Sequence, residues 1–240
     1  MNQLLNRTIL LNQTSPEALR NQIRAYFHQT ADLYESLFEC LASDEAYFVK
    51  PISLRHPLIF YYGHTNTFFI NKLILAGLIT DRVNPEMESM FAVGVDEMGW
   101  DDVNEQNYDW PSVDAVRAYR QQVRAAVDCV IDTLPINETI DWESPWWVIL
   151  MGIEHERIHL ETSSVLMRQH ELKYVKPSAD WPVCPNQQST PPTNDFVDIS
   201  ARQMTLGKQD ASYGWDNEYG SLIKDCSAFR AAKYLCSNAE

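Results

Sequence analysis

Two histidines four residues apart mark the segment of this sequence with the clearest chemistry. His155 and His159 lie in Gly152–Leu166, which reads GIEHERIHLETSSVL. Residues four apart on a helix are about 40° apart around its axis, so both imidazoles project from one face and can bind one ion. Glu156 points about 100° away from His155 by the same geometry. The spacing therefore predicts a helical metal site that contains both histidines.

His64 is the best candidate for a third ligand. It lies in FYYGHTNTFF, residues 60–69, a run so apolar that it is typical of a helix buried inside a bundle. An imidazole without a partner there would cost roughly 1–3 kcal/mol. Metal sites in bundle cores are built from facing helices, so we expect His64, His155 and His159 to bind one ion. Structural roles are expected for the others: His28, His56 and His170.

The pattern His-Glu-x-x-His also occurs in zinc peptidases, but its context here argues against peptide hydrolysis. Those enzymes need a further ligand after the motif and a sheet edge that aligns the peptide. LETSSVLMRQ follows His159, and His170 is near the predicted end of the helix. The segments before the motif are predicted to be helices. We therefore do not expect a protease.

The identity of the metal stays open at this point. Zinc with three histidines and a water is typical of a hydrolase, whereas iron(II) bound on one side keeps adjacent positions free for substrate and dioxygen. The common iron site has two histidines and a carboxylate, which Glu156 or Glu161 could supply. Ligand types alone do not choose between these metals.

Four long helical segments are predicted to position the histidines. The first begins at Ser15-Pro16, a capping serine with a first-turn proline, and its apolar spacing continues to about Ala42. The second follows Pro57, the third is capped by Ser112, and the fourth again begins with a capping serine and a first-turn proline, Ser144-Pro145. Four such helices with one long crossover indicate a four-helix bundle.

The long crossover, residues 80–111, mixes aromatic and acidic side chains without a clear period. A connection of this length is uncommon unless it has a function, which favours a loop that covers the site. An ordinary surface loop is an equally valid interpretation. Four residues are candidates for a substrate pocket because they are aromatic or acidic: Tyr61, Tyr62, Trp100 and Asp101. Each of them could equally pack in the core or face solvent.

The composition changes after Tyr174. Residues 175–195 are rich in proline and turn-forming residues and are predicted to be a linker. Residues 196–240 alternate and turn like the start of a β-rich domain, but their number is marginal for an independent core. The sequence thus predicts a mainly α chain, with a helical domain over 1–174, a linker over 175–195 and a truncated β-rich segment over 196–240.

Composition restricts the partners. A net charge of −14 repels nucleic acid and anionic membranes, and it favours a small polar or cationic ligand. No export signal is visible, and the most apolar window, Pro145–Ile153, is much shorter than the roughly 20 residues of a membrane span. We therefore expect a cytoplasmic protein. The five cysteines contain no Cys-x-x-Cys pair and are predicted to be reduced thiols.

Four separated blocks of the sequence resemble one enzyme family. The blocks are RHPLIFYYGHTNTFFINKL (55–73), SMFAVGVDEMGWDD (89–102), YDWPSV (108–113) and MGIEHERIHLETSSVL (151–166). In this order they are similar to the 5-histidylcysteine sulfoxide synthases of ovothiol biosynthesis. The resemblance covers nearly the whole chain and is far more specific than a five-residue motif.

The resemblance implies a DinB-like four-helix domain followed by the start of a domain similar to formylglycine-generating enzymes. It implies nonheme iron(II) held by His64, His155 and His159, in agreement with the helical geometry. The implied reaction uses dioxygen to join cysteine to the imidazole ring of histidine and to oxidise the sulfur to a sulfoxide. The family's catalytic tyrosine falls beyond residue 240, so we expect a fragment that binds metal and does not turn over by itself.

One position implies a branch of this family. In the related ergothioneine enzymes the residue before the second ligand histidine is usually Gln, whereas here it is Ile158, which implies the ovothiol branch with unmethylated histidine as substrate. Two other functions stay open for the same three histidines. One is a DinB-like zinc or nickel thiol transferase, and the other is a metal-binding module without catalysis.

Overall fold

A computed structural model of the protein describes residues 8–12, 15–92, 108–136, 139–182 and 192–237. The chain divides into two units, Met1–Trp181 and Pro182–Glu240. The helices of the first unit carry every candidate metal ligand, so that unit is described first.

Four long helices form the first unit. They are α1 (Pro16–Phe38), α3 (Leu58–Leu75), α5 (Val113–Thr133) and α6 (Trp146–Arg168), with the short helices α2 (Glu45–Phe48) and α4 (Pro85–Met90) between them. Both α5 and α6 pack against α3 on one side and α1 on the other, which closes the four helices into a bundle. The predicted mainly α class and the predicted four long helices are confirmed.

The capping serines act as the sequence predicts at two helices. The Ala18 backbone N–H donates to Ser15 Oγ at 3.4 Å, and the Ala115 N–H donates to Ser112 Oγ at 3.2 Å. These bonds satisfy backbone donors that a helix leaves unpaired in its first turn. At α6 the prediction was one residue early, because the helix begins at Trp146 with Pro145 in the capping position.

The first helix ends at Phe38, four residues before the predicted end near Ala42. A short antiparallel contact replaces its last turn. The Ala42 N–H donates to the Tyr174 carbonyl at 2.9 Å, and the Lys176 N–H donates to the Cys40 carbonyl at 2.8 Å. These long-range bonds compete with helix continuation for the same backbone groups.

The first part of the predicted linker contacts the helical unit. Besides the bond from Lys176, the indole Nε1 of Trp181 donates to Ser36 Oγ at 3.2 Å. Residues 175–181 therefore belong to the helical unit. Residues 183–191 of the predicted linker lie outside the described part of the chain.

The second unit consists of two antiparallel strand pairs. Its strands are β1 (Phe196–Ile199), β2 (Arg202–Leu206), β3 (Leu222–Cys226) and β4 (Phe229–Ala232). β1 pairs with β4 and β2 pairs with β3, so the second pair is nested in sequence within the first. Large apolar side chains on these strands are exposed: Phe196, Val197, Leu206, Leu222, Ile223 and Phe229. The assignment of this unit to a formylglycine-generating-enzyme-like domain stays a prediction.

Among the helices that the structure describes, none has the length and apolar character needed to traverse a bilayer. Four cysteines in the described ranges are free: Cys40, Cys129, Cys226 and Cys236. Cys184 lies outside those ranges.

Candidate metal centre

His64 on α3 and the pair His155 and His159 on α6 point into the same interior space. His155 Nε2 lies 3.3 Å from His64 Nε2 and 3.1 Å from His159 Nε2. One ligand nitrogen from each histidine lies within 4.8 Å of the other two. The structure therefore brings together the three residues that the sequence analysis selected, from two helices that pack directly on each other.

The distances from His155 Nε2 to the other two ligand nitrogens suit a shared metal ion. Two nitrogens that are each about 2.1 Å from an ion lie about 3.0 Å apart at a right angle and about 3.4 Å apart at the tetrahedral angle. The two separations measured from His155 Nε2, 3.1 and 3.3 Å, fall between these limits. The donor set thus fits a divalent cation that accepts imidazole ligands, such as zinc, nickel or iron.

A backbone carbonyl orients His64. Its Nδ1 lies 2.7 Å from the carbonyl oxygen of Phe91, the residue after α4. A carbonyl only accepts, so Nδ1 carries the hydrogen of the neutral ring and Nε2 presents its lone pair. Such a bond from the other ring nitrogen fixes both the tautomer and the orientation of a metal-binding histidine.

Apolar rings enclose the cluster on its inner side. Phe68 stacks on His155 with centroids 3.8 Å apart, and Phe60 stacks on His64 with centroids 5.2 Å apart. Burial, with the neighbouring histidines, lowers the pKa of His155 well below its usual value of 6.5 and lowers the pKa of His159 to about 3. The imidazoles of His155 and His159 are therefore neutral at physiological pH, the form that binds metals.

The cluster is more open on one side. His64 and His155 are buried, whereas His159 is partly exposed. The ring of Tyr61 lies beside His159, with centroids 5.9 Å apart. Tyr61 is thus next to the accessible side, as a pocket residue would be. Tyr62 instead packs in the core against Phe38.

Neither candidate carboxylate joins the histidines. Glu156 Oε1 accepts hydrogen bonds from Arg120 Nη2 at 3.0 Å and from Thr65 Oγ1 at 3.1 Å. Glu161 is exposed on the outer surface of α6. Within the described ranges the site is a three-histidine set, and the option of two histidines with a carboxylate from α6 is not realised.

Two glycines let aromatic rings approach the helices that carry the ligands. A Cβ atom on Gly152 would overlap the ring of Phe69, which projects from α3 towards α6. A Cβ atom on Gly63 would overlap the ring of Phe91. Gly152 lies three residues before His155 and therefore on the same face of α6. The spacing of α3 and α6 at the cluster depends on the small residue at Gly152.

The other three histidines lie apart from the cluster, as expected. His28 Nε2 lies 3.0 Å from Asp128 Oδ1, the His56 ring lies tilted against Phe60, and His170 packs beside Tyr174. The pocket candidates Trp100 and Asp101 lie outside the described residues.

The carboxylate of Glu88, which is fully buried, holds the segment that presents the Phe91 carbonyl. Glu88 Oε1 accepts from the backbone N–H groups of Val83 and Asn84, both at 2.9 Å, and Oε2 accepts from Arg82 Nη1 at 2.8 Å. These bonds tie the start of α4 to its last turn. Glu88 could not be selected from the sequence, because its partners are mostly backbone atoms.

Replacing Glu88 by alanine should leave two backbone donors without their acceptor. We expect a loss of about 2–3 kcal/mol in the free energy of unfolding, measured by urea denaturation. Glu86→Ala is the matched control, since Glu86 is exposed on the same short helix. Equal stability of the two variants would contradict the structural role of Glu88.

Comparison with known proteins agrees with the helical fold. The sequence matches the DinB superfamily over residues 26–163, a range that contains all three clustered histidines. It is also similar to Ergothioneine biosynthesis protein 1 of Neurospora crassa, with 26% identity over 220 residues. That alignment covers 80% of this chain and 23% of the relative, so the chain spans about a quarter of the relative's length. Because the family match extends over more than half of its 240 residues, the chain belongs to the DinB superfamily.

Proposed function

We propose that this chain is the metal-binding part of a nonheme iron(II), dioxygen-dependent sulfoxide synthase. The observation that carries the proposal is the convergence of His64, His155 and His159 on one point between α3 and α6. The similarity to a protein named for ergothioneine biosynthesis supports the reaction class. The chain spans 23% of that protein. The proposed activity is therefore that of a complete enzyme to which this chain contributes the metal site.

The proposed reaction joins the sulfur of cysteine to a ring carbon of histidine, giving 5-histidylcysteine sulfoxide. The thiol and the ring carbon each lose a hydrogen as the carbon–sulfur bond forms. One atom of dioxygen becomes the sulfoxide oxygen, and the other leaves as water with the two hydrogens. Bond formation and sulfur oxidation together supply the four electrons that reduce dioxygen, so no further reductant is required.

The residues of this chain have defined tasks in that proposal. Bound iron(II) would supply a binding position for the thiolate and the means to activate dioxygen. His64, His155 and His159 would occupy one side of the ion with three neutral ligands. The Phe60 and Phe68 rings exclude water from the inner side. The partly exposed His159 marks the side from which substrates would approach.

Ile158 supports unmethylated histidine as the second substrate. Its side chain is apolar and 48% exposed, and it precedes the ligand His159. It offers no amide group of the kind that Gln supplies at the same place in the ergothioneine enzymes. We expect histidine to be preferred over its trimethylated form, and the opposite preference in product formation would contradict the ovothiol assignment.

Oxygen consumption tests the proposed reaction directly. Loaded with iron(II), the complete enzyme of this proposal should consume dioxygen when cysteine and histidine are both present, and mass spectrometry should detect their sulfoxide conjugate. Thiol transfer with zinc or nickel and without oxygen would support a thiol transferase instead. A flat oxygen trace while iron stays bound would indicate a binding module without catalysis.

Metal binding should also stabilise the folded chain. An ion that binds only the folded state at 100 times its dissociation constant adds about 2.7 kcal/mol to the free energy of unfolding. For a protein of this size that corresponds to an increase of about 5–10 °C in Tm. Thermal unfolding with cobalt(II) or with a chelator measures the difference, and no difference would argue against a folded three-histidine site.

A further inference from the structure

One buried arginine connects all four long helices beside the histidine cluster. Arg120 on α5 is 1% exposed. Its Nε donates to Glu35 Oε1 on α1 at 3.1 Å, and its Nη2 donates to Glu156 Oε1 on α6 at 3.0 Å. On α3, its Nη1 donates to the Tyr62 carbonyl at 2.8 Å and to Thr65 Oγ1 at 3.1 Å.

Two of these partners are sequence neighbours of the proposed ligands. Thr65 follows His64 on α3, and Glu156 follows His155 on α6. Thr65 Oγ1 also donates to Glu156 Oε1 at 3.1 Å, so a direct bond joins the two helices at this level. The network therefore fixes the relative position of α3 and α6 within one residue of the ligands.

The histidines of α6 lack the kind of support that His64 has. His64 Nδ1 donates to the Phe91 carbonyl. In contrast, the Nδ1 atoms of His155 and His159 are buried and have no hydrogen-bond partner among the described residues. Their rings are oriented by ring packing and by the placement of α6 itself. Anything that holds α6 against α3 at Glu156 thus also orients these two rings.

Stability alone gives a weak account of this network. A buried ion pair gains Coulomb energy but loses the hydration of both charges, and apolar residues of similar volume often replace such a pair without loss of stability. The side chains of Arg120 and Glu156 are 1% and 2% exposed, so both charges are almost fully desolvated. A geometric role accounts better for a charged pair at this position.

We propose that Arg120 and Glu156 are positioning residues for the metal centre, which hold α3 and α6 at the spacing that lets three imidazoles bind one ion. This inference rests on the proposed three-histidine site. It gives the glutamate of the His-Glu-x-x-His pattern a structural task in place of proton transfer.

The test compares fold and metal affinity in the double variant Arg120→Met, Glu156→Leu. We expect the metal-free variant to keep its helical circular dichroism and a Tm within a few degrees of the original protein. Cobalt(II) affinity, from titration of the visible absorption bands, should fall about 10- to 100-fold, and the bands should shift. A folded double variant with unchanged affinity and bands would overturn the proposal.

A single substitution, Glu156→Gln, provides a second test. Glu156→Gln keeps the shape and the acceptor for Thr65 but removes the charge that faces Arg120, so it should fold and bind cobalt(II) more weakly. Unchanged affinity in this variant would also overturn the proposal, even if the double variant fails to fold.

The matched control is Asp32→Asn. It weakens the ion pair between Arg124 Nη2 and Asp32 Oδ1, 2.6 Å long, which joins α5 to α1 on the partly exposed side. We expect unchanged cobalt(II) binding, and an equal loss in this variant would overturn a specific role for Arg120. If the original protein binds no cobalt(II), the three-histidine site itself is wrong. If it binds and the Glu156 variants bind equally well, only the positioning role is wrong.

Discussion

His155→Ala should abolish metal binding by this chain, with cobalt(II) affinity reduced by more than about 100-fold. His155 Nε2 lies within 3.3 Å of both other ligand nitrogens, so its loss leaves two imidazoles on different helices. Changes to residues that merely contact a ligand reduce metal affinity about 10- to 100-fold, and loss of a ligand should cost more. In the complete enzyme of the proposal, the same substitution should reduce oxygen consumption with cysteine and histidine to background.

The control for this experiment is His170→Ala. His170 is buried beside Tyr174 just beyond the end of α6, and it lies apart from the cluster. The His170→Ala variant should bind cobalt(II) like the original protein. This control distinguishes the effect of losing a ligand from the effect of losing any buried histidine. Product formation at the normal rate by the complete enzyme with His155→Ala would refute both the site and the proposed function.

Gly152→Ala should destabilise the helical unit by about 1–3 kcal/mol, the usual cost of overpacking a core. The added Cβ would overlap the ring of Phe69, which is 2% exposed and packs edge-on against Phe27 with centroids 5.4 Å apart. The ring has little free space, so α3 and α6 must separate. Because Gly152 and His155 share a face, cobalt(II) affinity should fall together with stability.

A second substitution tests this explanation. Phe69→Leu makes room near the new methyl group, so the double variant should lose less stability than the sum of the two single losses. Urea denaturation measures all three variants. Val165→Ala serves as a control, since Val165 is exposed on the same helix and should change stability by no more than about 0.5 kcal/mol. Simple additivity would show that the contact between Gly152 and Phe69 is not the cause.

Much of the bundle could be predicted because its signals are local. The start of α1 follows from Ser15 and Pro16, and the burial of α3 follows from a run that is apolar on every side. The end of α1 could not be predicted, because it depends on hydrogen bonds to residues near Tyr174, far along the chain. The short helices α2 and α4 have too few residues to show a period.

The ligand set was predictable for a related reason. A helical spacing of four places His155 and His159 together, and an apolar helix gives His64 few other partners. The residues that support the ligands left weaker signals. Arg120 falls on the apolar stripe of α5, seven residues after Val113 and four after Val116, and a charge at that spacing could have been recognised. The Phe91 carbonyl has no sequence signature, since every residue has a carbonyl.

The close packing of the Phe91 ring against Gly63 restricts which substitutions evolution can accept at these two positions. The backbone of Phe91 orients His64, and its ring packs against Gly63, the residue before His64. Substitutions at positions 63 and 91 therefore cannot be independent. An alignment of homologues should show correlated replacement, with a smaller residue at 91 wherever 63 has gained a side chain. Lineages that keep the aromatic residue should also keep the glycine.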